Sequence, residues 1–301
     1  MKIYRMSELE LFMSCGRKYK HKYVDYFVPK KFGGVPLEVG TAIHGGAAVM
    51  YTHDDGPERK KLALATALKG YEECWKGTDK ELEAEDLEKI AGGQQVIEAV
   101  MKAFPWGKED FKRVIQVEEE MVVDMGEGRG LKVRLDLVVE GEHGMWLHDT
   151  KTTGLPLAMV SKAHRVRKQY IGYQLAAETK GLTIVGTNMD FVSKPRVYHK
   201  KDGTWTVGEP QFLREPVKHT VEEVETFKRW FHTITAQIEA DHAAAVPEPW
   251  RQNSDQCLNY MRLCPFWDLC SVSTKMAERI APVLYDIKPP EEWQGGVEVE
   301  V

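Results

Sequence analysis

The chain has 301 residues, 43% of them hydrophobic, and a formal net charge of −5. That is enough apolar material for one large core or two modest ones, and the charge balance excludes a global basic footprint, so contact with nucleic acid has to rest on local patches. Met1 to Leu11 carries no cationic, apolar leader and no apolar run approaches the roughly 20 residues that cross a bilayer, so a cytoplasmic protein with no membrane partner is expected.

In chain order, Ser7 is placed to cap a helix running to about Tyr23, with Leu9, Leu11 and Phe12 apolar and Arg17, Lys18, Lys20 and Lys22 at its far end. A second helix starts near Gly40 and carries Ile43, Ala47 and Met50. Residues 55–105 read as an acidic helical insertion broken near Gly77 and Gly92. Strands follow at Arg113 to Asp124, Leu131 to Glu140 and Gly144 to Thr152, the last two joined by the turn Gly141-Glu142-His143-Gly144, which predicts a β-meander. Then come a helix from Ser161 to Lys180, a strand from Thr183 to Ser193, a hairpin over Arg196 to Val207 and a helix from Thr220 to about Ala245. No repeat and no Ser/Gly linker divides the chain. The expectation is one α/β domain over residues 1–280, a mixed central sheet flanked by helices, with residues 281–301 as a tail whose acidic end, from Pro289, is free or pairs with a strand edge.

The chemistry concentrates where the third strand ends, in Trp146-Leu147-His148-Asp149-Thr150-Lys151. Residues i and i+2 share one face of a strand, so Met145, Leu147, Asp149 and Lys151 point one way. If the turn closes with Glu140 opposite Met145, Asp136 stands directly opposite Asp149. Like charges so placed destabilise unless something positive lies between them. A divalent cation meets that need, and magnesium held by one or two carboxylates keeps positions open for a phosphodiester. Lys151 then orients or deprotonates the attacking water, or stabilises charge on the phosphate.

With these residues in order the chain resembles the RecB-type nucleases of the PD-(D/E)XK superfamily, whose signature is an acid on one strand and acid-x-Lys on the next: Asp136, then Asp149-Thr150-Lys151. It is similar to them also in Gly40-Thr41-Ala42-Ile43-His44, where the family carries a metal-binding histidine, and in Gln169-Tyr170-Ile171-Gly172-Tyr173. The resemblance implies a PD-(D/E)XK core that hydrolyses DNA with Mg or Mn held by His44, Asp136, Asp149 and the backbone carbonyl of Thr150. It implies Lys151 as helper of the water, Gln169 and Tyr173 near the scissile phosphate, and exonuclease action on single-stranded ends. Repair, recombination and phage DNA processing all suit it. The nucleotide-binding motif Gly-x-x-x-x-Gly-Lys-Ser/Thr is absent, so an unwinding helicase or recombination partner would be a separate chain. Lys162, His164, Arg165, Arg167 and Lys168 form a local basic cluster suited to phosphate contacts.

Five cysteines are an odd count for a disulfide framework. Some RecB-type nucleases, AddB-like and CRISPR-associated ones among them, hold a 4Fe-4S cluster with one N-terminal and three C-terminal cysteines. By that resemblance Cys15, Cys257, Cys264 and Cys270 form the set, closing residues 250–275 on Cys15. The family spacing C-x2-C-x5-C is kept in its second part, whereas six residues separate Cys257 from Cys264, and zinc remains the alternative. Cys74 lies outside the set.

Blander readings stand beside these. Alone, His44 is a structural histidine, Asp149 and Lys151 are a surface ion pair of about 1 kcal/mol at most, and Tyr173 is a core aromatic. One of Glu118, Glu119 and Glu120 could enter the metal site, and a solvated strand edge is their blander reading. Two further classes of function stay open: a non-catalytic DNA-end-binding or recombination accessory protein, and a metal-sulfur redox sensor.

Overall fold

The chain divides into two units, Met1–Ile3 with Gly34–Lys228, and Tyr4–Gly33 with Arg229–Val301. The computed structural model describes residues 1–30, 35–53, 57–75, 83–244, 250–259 and 262–289. Its elements in chain order are β1 (Lys2–Arg5), α1 (Met6–Ser14), α2 (Gly16–Tyr19), a π-helical turn (Lys20–Val24), β2 (Phe27–Pro29), α3 (Val35–Thr52), α4 (Pro57–Glu73) and α5 (Ala84–Ala103). After these come β3 (Arg113–Gly126), β4 (Arg129–Gly141), β5 (Gly144–Thr153), α6 (Leu157–His164), α7 (Gln169–Thr179), β6 (Ile184–Ser193), β7 (Val197–His199), β8 (Trp205–Val207) and β9 (Phe212–Val217). The last are α8 (Val221–Ala243), β10 (Leu258–Asn259), β11 (Arg262–Leu263), α9 (Trp267–Cys270), α10 (Thr274–Leu284) and β12 (Tyr285–Ile287).

In the first unit β4 is the hub of a mixed sheet in the order β1-β4-β5-β6-β9, with β3 also paired to β4. The β3–β4 and β4–β5 pairs are antiparallel, as a meander requires, and β6 joins β5 in parallel. The expected register is observed: Glu140 faces Met145, and the ladder runs down to Leu137 opposite His148. Gly144, at φ +119, takes the turn backbone that a side chain would strain. Helices α3, α4 and α5 bury Ile43, Met50, Tyr71, Ile97 and Met101 with Leu137, Val139 and Val192 of the sheet. Close approach between α4 and α5 needs Gly93, where a Cβ would lie 2.1 Å from Tyr71 Oη. Among the described residues no helix is long and apolar enough to cross a membrane.

Four local expectations are corrected. Helix α1 is capped by Arg5 rather than Ser7, because the Glu8 carboxylate accepts the Arg5 N–H at 3.3 Å and buries Met6 one residue earlier. That helix stops at Cys15, whose backbone is extended. Helix α5 runs unbroken through Gly92, against which the Trp205 ring packs; Gly77 lies outside the described residues. The helix expected over Ser161 to Lys180 is two. Residues six apart sit about 240° apart around a continuous helix, and the interruption lets His164 and Tyr170 meet at 2.7 Å with both rings buried.

The second unit ties the two ends of the chain together. Arg17 N–H donates to the Arg251 carbonyl at 3.1 Å, Asn253 Nδ2 to the Ser14 carbonyl at 3.0 Å, and β12 pairs antiparallel with β2. Phe266, Leu269, Ala281 and Tyr285 form its small core. Most of the acidic end of the tail lies outside the described residues.

Glu8 of this unit is 2% exposed, and burial raises its pKa to about 7 despite hydrogen bonds from the Arg5 N–H and the Tyr19 hydroxyl. The folded chain therefore keeps a proton that the unfolded chain loses near pH 4.5, and stability falls as pH rises from there to about 7. Glu8→Gln is expected to raise the melting temperature at pH 8, with an effect of up to about 3 kcal/mol, and to leave it unchanged at pH 4; thermal unfolding across pH checks this.

Candidate active site

Three side chains from α3, β3 and β4 converge. One ligand atom each from His44, Glu118 and Asp136 lies within 4.8 Å of the other two. His44 Nδ1 is 3.2 Å from Asp136 Oδ2, and the same oxygen accepts the Thr150 N–H at 3.0 Å. The β4–β5 ladder ends one residue before Asp136 and Asp149, so the site opens where the two strands stop pairing.

Glu118 is one of three neighbouring acids for which strand reading favours a solvated edge and does not choose which could reach the metal site. The pairs flanking it, Val117 with Leu137 and Glu119 with Leu135, put it across from Asp136, yet it is not itself paired, and its φ of +53 is left-handed. A non-glycine residue held there costs roughly 1–3 kcal/mol. Alternation does not announce a left-handed residue inside a strand. Burial, then the Asp136 charge, raises the Glu118 pKa, although Arg134 Nε lies 2.6 Å from its carboxylate.

Asp149 is fully buried and faces Lys151. Lys151 Nζ donates to Oδ1 at 2.9 Å and stands 2.8 Å from Oδ2, which takes no hydrogen bond among the described residues. Burial and the Asp136 charge raise the Asp149 pKa against the pull of Lys151. Burial raises that of Asp136 as well, but His44, Lys151 and the Thr150 N–H outweigh it and hold Asp136 below the ordinary value. For Lys151 burial works downward, and Asp149 and Asp136 overcome it, so the side chain is an ammonium at neutral pH. An ammonium there is suited to holding negative charge. His44 is likewise raised by Asp136 against its burial.

Helix α7 starts at Gln169, whose Nε2 donates to the Tyr173 hydroxyl one turn on. Burial, then the charges of Asp149 and Asp136, lift the Tyr173 pKa. Of the expected basic cluster, Lys162, Arg165 and Arg167 are exposed, while His164 is buried and pushed down to about 4, so it is neutral and leaves the cluster. A cleft of about 730 Å³ runs along β3 to Val117, beside Glu118, and Tyr51, Lys108 and Lys112 line it.

Strand alternation turns His148 away from Asp149. His148 Nδ1 lies 3.0 Å from Asp190 Oδ2, and Arg214 grips Asp190 through two bonds of 2.5 and 2.8 Å. The Arg214 guanidinium lies over the Trp106 ring at 4.7 Å. The site reading from sequence contains none of these, because an isolated Asp and an isolated Arg in separate strands carry no motif.

In the second unit Cys15, Cys257, Cys264 and Cys270 line one small cavity with Phe266 and Trp267, and all are free thiols. Among the described residues no three of the four sulfurs lie within 4.8 Å of one another. Burial raises the Cys264 and Cys270 pKa values. Cys74 belongs to the first unit, where its Sγ donates to the Gly70 carbonyl at 3.2 Å.

Residues 6–271 match the sequence family described as the PD-(D/E)XK nuclease superfamily. A comparison with curated proteins gave no match. Among solved structures the chain is similar to the one titled "Crystal structure of SSO0001", with 11% identity over 82% of this chain and 79% of that one and a TM-score of 0.33, an overlay too loose to argue from.

Truncating Asp190 leaves the Arg214 charge and His148 without their partner on the side of β5 away from Asp149. Asp190→Ala is expected to cost about 3–5 kcal/mol of folding stability, read by denaturant unfolding at neutral pH.

Proposed function

Because the chain belongs to the PD-(D/E)XK nuclease superfamily, we propose that it is a divalent-metal-dependent DNA exonuclease of RecB type, acting on single-stranded ends in the cytoplasm. The observation that carries this reading is the meeting of His44, Glu118 and Asp136 beside the buried Asp149–Lys151 pair. The donor set fits magnesium or manganese: carboxylate oxygens with one imidazole, and Asp149 Oδ2 buried without a hydrogen bond. When bound, such an ion polarises the phosphodiester and lowers the pKa of water.

His44, Glu118 and Asp136 hold the ion, and Asp149 and the Thr150 carbonyl complete its protein ligands. The Thr150 N–H orients Asp136. Lys151, kept protonated by the two aspartates, stabilises negative charge on the phosphate in the transition state. Gln169 and Tyr173 contact the phosphate backbone from the start of α7, and Arg165 and Arg167 hold the strand nearby. The reading places the enzyme in recombination, repair or phage DNA processing, with unwinding left to a separate helicase or recombination protein.

For the cysteine-lined cavity we propose a 4Fe-4S cluster. A tetrahedral zinc draws its sulfurs to about 3.8 Å from one another. All four thiols line one space, and the resemblance to cluster-bearing nucleases favours the cluster over zinc. Its ligands belong to both chain ends, so binding would close a loop of some 240 residues. Iron, sulfide and zinc analysis of protein purified without oxygen is expected to give iron and sulfide; zinc in their place rejects the cluster.

End-labelled single- and double-stranded DNA, blocked at either end, is expected to be cut from free ends in manganese or magnesium and left intact in chelator. Lys151→Ala is expected to lose at least about a hundredfold in rate while still binding DNA. Binding without cleavage under every divalent ion would falsify the nuclease reading. Glu118→Gln is expected to weaken manganese binding about tenfold, measured by calorimetry without DNA; unchanged affinity removes Glu118 from the ligand set.

A further inference from the structure

The β7–β8 hairpin has two unlike faces. Its register pairs Tyr198 with Thr206 and His199 with Trp205, and hydrogen bonds from Gly208 N–H to the Arg196 carbonyl and from Lys200 N–H to the Thr204 carbonyl extend it at both ends. His199 and Trp205 stack at 4.6 Å on one face, where the Trp205 ring covers Gly92 of α5 and His199 Nδ1 lies 3.1 Å from Glu88. Alternation puts Arg196, Tyr198 and Lys200 together on the other face. All three are exposed, Tyr198 by 56%, and among the described residues the Tyr198 ring and hydroxyl have no partner. Lys201 adds a further cation; of the nearby acids, Asp202 accepts the Thr204 N–H and hydroxyl, and Glu209 follows the Gly208 that bonds the Arg196 carbonyl.

The hairpin also rises from the end of the sheet that carries Lys151. β5 and β6 run in parallel, with Lys151 beside Phe191 and Thr153 beside Ser193, and Lys194 N–H donates to the Thr153 carbonyl at 2.7 Å. Six residues lie between Phe191 and Tyr198, so their seven steps of chain reach at most roughly 25 Å.

We propose that this face is a platform for single-stranded DNA, on which Tyr198 stacks an unpaired base while Arg196 and Lys200 hold the phosphates to either side. It rests on the reading that DNA is the substrate. An aromatic ring between two cations matches a polyanion with exposed bases, whereas a duplex keeps its bases stacked and offers the ring nothing.

The test is fluorescence anisotropy of the full chain with a labelled oligothymidylate and with a blunt duplex, in chelator so that nothing is cut. Tyr198→Ala is expected to weaken single-strand binding about tenfold, ~1.4 kcal/mol, Tyr198→Phe to bind like wild type, and duplex binding to change less than twofold. Lys200→Ala is expected to lower the salt slope by about 0.7. Single-strand affinity of Tyr198→Ala within twofold of wild type, equal losses on both DNAs, or Tyr198→Phe as weak as Tyr198→Ala each overturns the platform. Because binding is read without cleavage, failure of the nuclease reading and failure of the platform are separate results: a protein that cuts nothing can still show ring-dependent binding, and an active nuclease can lack it.

Discussion

Carboxylate repulsion at the end of β4 and β5 is the constraint on which the first unit turns. Glu118, Asp136 and Asp149 come from adjacent positions of three neighbouring strands, and the full burial of Asp149 removes the water that would screen it. Each charge is answered differently: Asp136 by His44 and a backbone N–H, Glu118 by Arg134, Asp149 by Lys151. The answers are incomplete, since Glu118 and Asp149 keep raised pKa values and, among the described residues, Asp149 Oδ2 has only its ion pair with Lys151. Residual unbalanced negative charge in a low-dielectric pocket is what a divalent cation relieves most effectively.

That arrangement needs a rigid base. Asp190 and Arg214 lie on neighbouring strands β6 and β9 in register, and their bidentate pair holds His148 in place one residue from Asp149. A shift of β5 by one residue would exchange the two sides, putting His148 among the carboxylates and Asp149 among the aromatics. The network is thus a register lock, and the alternation of β5 carries it to the site. The strain held at Glu118 is stored in the same framework.

The second unit solves a different problem, joining residues separated by most of the chain. Backbone hydrogen bonds, the β2–β12 pair and a small aromatic core already bring Cys15 to the same cavity as Cys257, Cys264 and Cys270.

Much of this was legible in the residues. Strand alternation with a symmetric four-residue turn was enough to set Glu140 against Met145, and continuing that register brings Asp136 to the level of Asp149, just past the last ladder pair of Leu137 and His148. The meander followed from the order of the elements and the mixed sheet flanked by helices from the resemblance, and the spacing of Gln169 and Tyr173 placed them one turn apart on α7. The rest was decided by contacts between distant segments. Glu118 turns toward Asp136 through a backbone conformation that no periodicity encodes. His164 loses its charge to burial against Tyr170 and Phe191, and the helix breaks so that these rings can meet. Lys151 keeps its proton because two aspartates surround it, one of them from another strand. Local pattern sets which way a side chain points, whereas burial and neighbouring charge, which arise only when remote strands and helices come together, set what that side chain can do.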